Sequence, residues 1–369
     1  MKSLVINGRF LGQPLSGVQR YATEIVKALD AILGHSGEQP VSCILAAPPG
    51  ARPIELSSIA VRTVASPALL AKLLPAAVQG HAWEQSTLAA SARGAVLLNL
   101  CGSAPLGKSD QLTVIHDAAI YRNPQFFSRA YRIAHGFLDR RISARSRIAS
   151  VSQFSSRELG EVLGIDPAGI VVSPNGADHL GTAVDIAAPT RLGLDDKPFF
   201  VFVGNLTPNK NLAAAVQAIA ALGGAARLAV VGASNQRVFS AATGAVDDDV
   251  RMLGRIDDET LAGLLRSAAA LVFPSFYEGF GIPPLEAMTQ GCPVIASRIP
   301  AVEETCADAA LYFAPDSPAE LAQQMQLVLT EPTAARAERI ARGHARSARF
   351  TWRASAQQLH AALLPMLRG

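Results

Sequence analysis

Short apolar runs alternate with helical patterns along the whole of this chain. The runs that read as strands are Leu4–Ile6, Cys43–Ala46, Ala95–Asn99, Leu112–Ile115, Ile148–Val151 and Ile170–Ser173. After an interval the series resumes with Phe199–Val203, Arg227–Val231, Ala270–Phe273, Val294–Ala296 and Leu311–Phe313. The best-defined early helix starts near Gly17, where Val18, Tyr21, Ile25, Leu29 and Ile32 recur at three- and four-residue steps on one face. Ser16 stands where its N-cap belongs. Repeated β–α alternation predicts parallel sheets with helices on both faces, an α/β chain of doubly wound domains. The interval from Pro174 to Lys197 contains Asn175-Gly176, Pro189 and Asp195-Asp196 with little strand or helix period, and reads as a linker between two such domains. The last stretch, from Phe350-Thr351-Trp352 onward, predicts a capped helix with Ala356, Leu359, Leu363 and Leu367 on its apolar side.

Composition narrows this picture. A chain of 369 residues exceeds one typical core and suits two domains. With 49% hydrophobic and 17% charged residues it is globular and not disordered. The opening Met1–Gly8 is too short for a secretory hydrophobic region, and no apolar run reaches membrane-spanning length. Cys43, Cys101, Cys292 and Cys306 are scattered and form no CxxC, which fits a reduced, cytoplasmic setting and supports neither a disulfide framework nor a zinc site. A net charge of +3 does not argue for nucleic acid. Charge is locally uneven, however: Arg129, Arg132, Arg140, Arg141, Arg145 and Arg147 are interleaved with Phe127, Tyr131, Ile133, Phe137, Leu138 and Ile142. The stretch Arg129–Arg147 reads either as a solvated helix or as a basic amphipathic face for an anionic membrane surface.

Candidate chemistry gathers where strands end. Ala270–Phe273 is followed by Pro274-Ser275 and then by Glu278-Gly279-Phe280-Gly281-Ile282-Pro283-Pro284-Leu285-Glu286, a strand, loop and helix start in sequence. Such loops lie at the carboxyl edge of a parallel sheet, where ligands bind. The two glutamates, with seven residues between them, sit in different parts of the element and suit an elongated, two-part ligand. Pro283 or Pro284 suits the first helical position, and the helix start favours an anion. Gly204-Asn205-Leu206-Thr207-Pro208-Asn209-Lys210-Asn211 follows another strand, with Lys210 as a movable charge for phosphate or as a solvated surface residue. His116, at the end of Leu112–Ile115, reads as a locally bonded histidine or as an imidazole for a sugar hydroxyl or leaving group. Gly17 is a helix-start glycine or a close approach to a diphosphate. Asp247-Asp248-Asp249 lacks further ligands at metal spacing and reads as a solvated turn. Neither domain shows GxGxxG with a ribose acid, which disfavours a dehydrogenase.

Together these residues resemble the retaining glycosyltransferases of family 4, whose hallmark is two glutamates separated by seven residues. The resemblance runs nearly the full length, through Ser16-Gly17-Val18-Gln19-Arg20-Tyr21, Trp83-Glu84-Gln85, His116-Asp117, Val151-Ser152-Gln153-Phe154-Ser155, Pro174-Asn175-Gly176-Ala177-Asp178, Val203-Gly204-Asn205 with Lys210-Asn211, Leu253-Gly254-Arg255-Ile256, and Glu278 to Glu286. It implies the GT-B fold, two Rossmann-like domains with a cleft between them. Residues 1–184 would form the acceptor-side domain, joined by a returning C-terminal helix at 352–369, and 185–351 the donor-binding domain. It also implies roles. Glu286 would bind the donor ribose and Lys210 the diphosphate, beside Gly204 and Asn205. Glu278 and the backbone of Phe280, Gly281 and Ile282 would hold the sugar, facing His116 across the cleft. Gly17 would admit the phosphates, and Gly254 and Arg255 would frame the base. His116, Glu278 and Lys210 would be the catalytic group, with Glu278 positioning hydroxyls and not acting as a nucleophile.

Two departures stand out: Asn205 replaces an arginine common in relatives, and Ser16-Gly17 replaces Gly-Gly. With Trp83-Glu84-Gln85 and Gly281-Ile282-Pro283-Pro284-Leu285-Glu286 they give the chain a mannosyltransferase flavour. The implied reaction moves a hexose, mannose from GDP-mannose above others, to a hydroxyl of a growing bacterial surface glycan such as lipopolysaccharide, the acceptor being a glycan or lipid-linked glycan. No cofactor or metal is implied. The alternatives are a UDP-sugar donor, an epimerase or phosphorylase on the same scaffold, and a catalytically silent glycan-binding relative.

Overall fold

A computed structural model describes residues 2–35, 42–66, 76–181, 183–232 and 248–369. The chain divides into two compact units, Met1–Asn175 with Trp352–Gly369, and Gly176–Thr351. The first contains strands β1 (Leu4–Asn7), β2 (Cys43–Ala47), β3 (Ala60–Thr63), β4 (Val96–Asn99), β5 (Gln111–Val114), β6 (Arg147–Ser150) and β7 (Val171–Val172). The second contains β8 (Phe199–Val203), β9 (Arg227–Val231), β10 (Val250–Gly254), β11 (Ala270–Phe273), β12 (Val294–Ser297) and β13 (Ala310–Phe313). All pairings are parallel, in the orders β3-β2-β1-β4-β5-β6-β7 and β10-β9-β8-β11-β12-β13. Sheets with helices on both faces bury their strands from both sides, which is why most of the interior strands are largely apolar.

Each order reverses once, between β1 and β4 in the first sheet and between β8 and β11 in the second. At such a reversal the neighbouring loops leave toward opposite faces and open a crevice at the strand ends. On one side of the second sheet Phe200, Phe202, Val230 and Val272 meet Ala215, Ile219 and Met325, and on the other Val201, Leu271, Phe273 and Val294 are equally buried. In the first unit, the helix Gly17–His35 buries Tyr21, Ile25, Val26 and Leu29 and packs against the helix Trp352–Arg368. That last helix buries Ala356, Leu359, Leu363 and Leu367, and its Leu367 carbonyl accepts the Lys2 amide at 2.8 Å.

Several expectations need correcting. Strands β3 and β10 were not predicted: β3 is exposed at all four positions and β10 at Arg251, because edge strands lack the two-sided burial that makes an apolar run. The Ser16 carbonyl does accept the Arg20 amide at 2.8 Å, but its hydroxyl is spent on the Gln19 side chain. The expected linker is not free. The change of unit falls between Asn175 and Gly176, short of the expected boundary at Val184. Buried Leu180, Ala188, Pro189 and Leu194 hold the segment to the second unit, and the Asp185 amide donates to the Glu259 carbonyl at 3.1 Å. Asp247 lies outside the described residues, while Asp249 is paired with Lys197.

Gly232, just beyond β9, has φ +147, and a Cβ there would lie 1.8 Å from the Gly204 carbonyl oxygen. The contact is backbone against backbone, so no side chain can give way. Gly232→Ala should lower unfolding stability by about 3 kcal/mol in urea denaturation of the full chain, through strain at a disallowed dihedral and a forced loop shift.

Candidate active site

In the second unit the loops after β8 and β11 bring two opposite charges together at the sheet reversal. After β8 the chain passes Gly204 and Asn205, makes a tight turn at Pro208–Lys210, and enters the helix Leu212–Ala221 through Asn211. Asn211 is left-handed at φ 52, and its side-chain amide donates to the Pro315 carbonyl at 2.9 Å, which holds that strained residue in place. This turn directs Lys210 back over the loop. Its ammonium donates to Glu278 Oε1 at 2.5 Å and lies 5.5 Å from the Phe273 ring centroid. The Phe276 amide donates to the Asn209 carbonyl at 2.9 Å, so the loops after β8 and β11 are tied by backbone as well as by charge.

Beyond Glu278, Phe280 is buried against Phe350, and its carbonyl accepts the Thr305 hydroxyl at 2.9 Å. Gly281 then turns at φ 110 into the helix Ile282–Thr289. The first helical residue is Ile282, so Pro283 and Pro284 occupy the next two positions and not the first. Their missing N–H groups would have been unpartnered there in any case, which leaves the Gly281 and Ile282 amides as the donors of this helix start. Glu286, one turn on, is 7% exposed, and its Oε1 takes a hydrogen bond from His179 Nε2 at 2.9 Å. Gly254 ends β10 at φ 69 and accepts the Gly232 amide at 2.8 Å. Arg255 follows it and is exposed.

Gly17 and His116 lie in the first unit. His116 Nε2 is 2.9 Å from the Leu100 carbonyl, which can only accept, so Nε2 carries the proton and Nδ1 keeps its lone pair. The imidazole meets the Tyr21 ring edge-on at 4.9 Å between centroids. Burial pushes its pKa down from 6.5 to about 4, against a smaller opposing pull from the hydrogen bond to Leu100. The ring is therefore neutral at physiological pH and available as a hydrogen-bond acceptor.

A second polar cluster lies at the β1/β4 reversal and was largely missed in the sequence. Glu84, fully buried, accepts Asn7 Nδ2 at 2.6 Å, Arg9 Nη1 at 2.9 Å and the Ser103 hydroxyl at 2.9 Å. Asn7 also donates to Asn99 at 3.0 Å. Arg9 lies against the His81 ring, whose pKa is lowered by burial first and by that guanidinium second. A small cavity lined by Asn7, Arg9, Gln13, Leu100, Cys101 and Ser103 opens beside the cluster. The available signal was polar Asn7, Asn99, Gln111 and Thr113 set inside apolar strands. His179 and Gly232 were missed as well. All four cysteines are free, and burial pushes each thiol up to about 12, so none is a ready nucleophile.

Residues 187–345 match the family Glycosyl transferases group 1, so the chain carries a glycosyltransferase group 1 domain. It is 27% identical over 260 residues to O-antigen chain mannosyltransferase B of Escherichia coli, covering 65% of this chain and 66% of that protein. It is 36% identical over 122 residues to O-antigen chain mannosyltransferase RfbU of Salmonella typhimurium, covering 32% of this chain and 35% of that protein. The chain thus spans less than two thirds of the length of these relatives. A sucrose-phosphate synthase from Thermosynechococcus elongatus superposes with a TM-score of 0.77 at 21% identity, over 99% of this chain and 98% of that one. At that identity the likeness establishes the fold: two parallel-sheet, Rossmann-like domains of the GT-B kind.

The His116 geometry carries a pH prediction. Its folded pKa lies below its unfolded value, so between about pH 6.5 and 4 the unfolded chain binds a proton that the folded chain refuses. Stability therefore falls on acidification through that window. Urea midpoints of His116→Gln should fall less than those of the parent between those pH values; parallel curves would contradict the assignment.

Proposed function

We propose that this protein transfers a hexose from a nucleotide diphosphate sugar to a hydroxyl of a growing bacterial surface glycan, with retention at the anomeric carbon. Mannose from GDP-mannose is the favoured donor, given the relatives named above as mannosyltransferases. The observation that carries the reading is the Lys210–Glu278 pair at the sheet reversal of a group 1 domain, next to a helix start.

The chemical difficulty of such a transfer is charge. The departing diphosphate gains negative charge while the sugar becomes oxocarbenium-like, and donors fixed in advance stabilise the charge on the leaving group. Lys210 and the helix-start amides of Gly281 and Ile282 would meet the diphosphate, with Gly204 and Gly17 leaving room for its approach. A diphosphate competes with Glu278 for the lysine, and a released Glu278 can accept sugar hydroxyls. Glu286 accepts ribose hydroxyls, and Gly254 with Arg255 frames the base. Neutral His116 accepts a sugar hydroxyl through Nδ1 and positions it, without itself carrying the acceptor proton. The polar cavity beside Glu84 gives the first unit hydroxyl-binding character suited to a glycan acceptor. Holding donor and acceptor together converts the transfer to an effectively intramolecular step.

Contact with an anionic membrane is part of this reading, at the inner face where lipid-linked acceptors are presented. Among the described residues, no helix is long and apolar enough to cross a membrane. The helix Arg129–Ser143 instead exposes Ile133 by 65%, Phe137 by 58% and Tyr131 by 46%, with Arg129, Arg140 and Arg141 exposed beside them. Its inward side holds Asp139 and Ile142, and Arg147 is tied to the Ala362 carbonyl, so the outward stripe is narrower than the sequence pattern suggested. An apolar stripe flanked by arginines suits an anionic bilayer surface.

Titration calorimetry with GDP, UDP, ADP and dTDP should show GDP binding most tightly; a preference for UDP would overturn the mannose donor and leave the fold untouched. Glu286→Ala should weaken nucleotide binding by roughly 10- to 100-fold, the cost of losing charge-assisted hydrogen bonds. Glu278→Gln should spare binding and lower turnover by about 100-fold. Parental transfer rates in both variants would refute the site. In vesicle flotation, the parent should bind phosphatidylglycerol vesicles in a salt-sensitive way and ignore phosphatidylcholine. Substituting Ile133→Asp with Phe137→Asp should abolish that binding.

A further inference from the structure

The Glu286 carboxylate is nearly sealed from solvent, and a buried charge of this kind needs a fixed donor. The donor lies far away in sequence. His179 Nε2, on a side chain 2% exposed, bonds Glu286 Oε1 at 2.9 Å. The backbone next to it is anchored to the same region: Gln290 Nε2 donates to the Leu180 carbonyl at 2.8 Å, and Gln290 Oε1 accepts from Arg266 Nε at 2.9 Å. Residues 179 and 180 are thus laid along the helix Ile282–Thr289 and its end, and the imidazole is held in place by its backbone.

We infer that His179 is a positioning residue for nucleotide recognition, fixing the Glu286 carboxylate so that Oε2 meets the ribose hydroxyls of the donor. This rests on the ribose role proposed for Glu286. A carboxylate with one oxygen held by an imidazole N–H cannot rotate freely, so its second oxygen is presented in one direction before the ligand arrives. Preorganisation of this kind raises affinity by removing an ordering cost that binding would otherwise meet. A ring that only sealed the helix against the 176–180 segment would affect folding and leave discrimination between sugars of the nucleotide alone.

The two roles separate by experiment on the full chain. Kd values for GDP and 2′,3′-dideoxy-GDP, and for the corresponding UDP pair, are measured for the parent, Glu286→Ala, His179→Ala and His179→Gln. The parent should prefer the ribonucleotide by at least tenfold, and Glu286→Ala should lose that preference. His179→Ala should reduce the preference to about threefold or less and raise KM for the donor sugar with kcat retained. His179→Gln, whose amide can replace the N–H, should restore most of the preference. If His179→Ala keeps the parental ratio while Glu286→Ala loses it, the inference is wrong and the ribose role stands. If Glu286→Ala also keeps it, or the parent binds no nucleotide, the reading of Glu286 falls and the inference with it. Should the alanine variant not fold, His179→Phe keeps the ring and removes the N–H, and the same ratio decides.

Discussion

The site of the second unit depends on one ion pair between two loops. Lys210 and Glu278 are brought to 2.5 Å by strands that adjoin in space but lie 68 residues apart. Both side chains are mostly shielded from water, so breaking the pair without a replacement would strand a poorly solvated charge. In the proposed reaction a diphosphate would supply that replacement for the lysine, and sugar hydroxyls would supply it for the carboxylate. Ligand binding in that reading would be an exchange of partners, favouring a ligand that carries both groups.

The position of the pair follows from topology. In each sheet the strand order reverses once, and in each a polar cluster occupies that point: Lys210 with Glu278 at one, Asn7 with Arg9 and Glu84 at the other. The two clusters differ in what they leave open. The buried Glu84 carboxylate is satisfied by three donors, Asn7, Arg9 and Ser103, and these three side chains line a small cavity. The Lys210–Glu278 pair sits, 20% and 14% exposed, on loops held by Asn211 and Thr305.

Much of this was legible in the sequence, for identifiable reasons. Strands β8, β9 and β11 were located to the residue because burial on both faces demands an unbroken apolar run. Lys210, Glu278, Gly204 and Gly281 were visible because polar or flexible residues directly after such a run mark a sheet's carboxyl edge. The edge strands β3 and β10 were not, since half-exposed strands carry no such run. The His179–Glu286 contact was also hidden: its partners are 107 residues apart, and nothing local in Asp178-His179-Leu180 points to a distant carboxylate. Local chemistry was readable and long-range pairing was not. The Arg129–Arg147 pattern lies between, because the sequence showed its composition and only the structure showed which side chains face out.

The last helix has a consequence for the order in which the chain matures. The second unit is built from one continuous stretch, whereas the first is completed by Trp352–Arg368, whose Trp352 packs on Tyr21 and whose Ser355 bonds Ser173. During synthesis, which proceeds from the N-terminus, the helix Gly17–His35 must wait with an uncovered apolar face until the whole second unit has emerged. The later unit is thus free to finish folding before the earlier one.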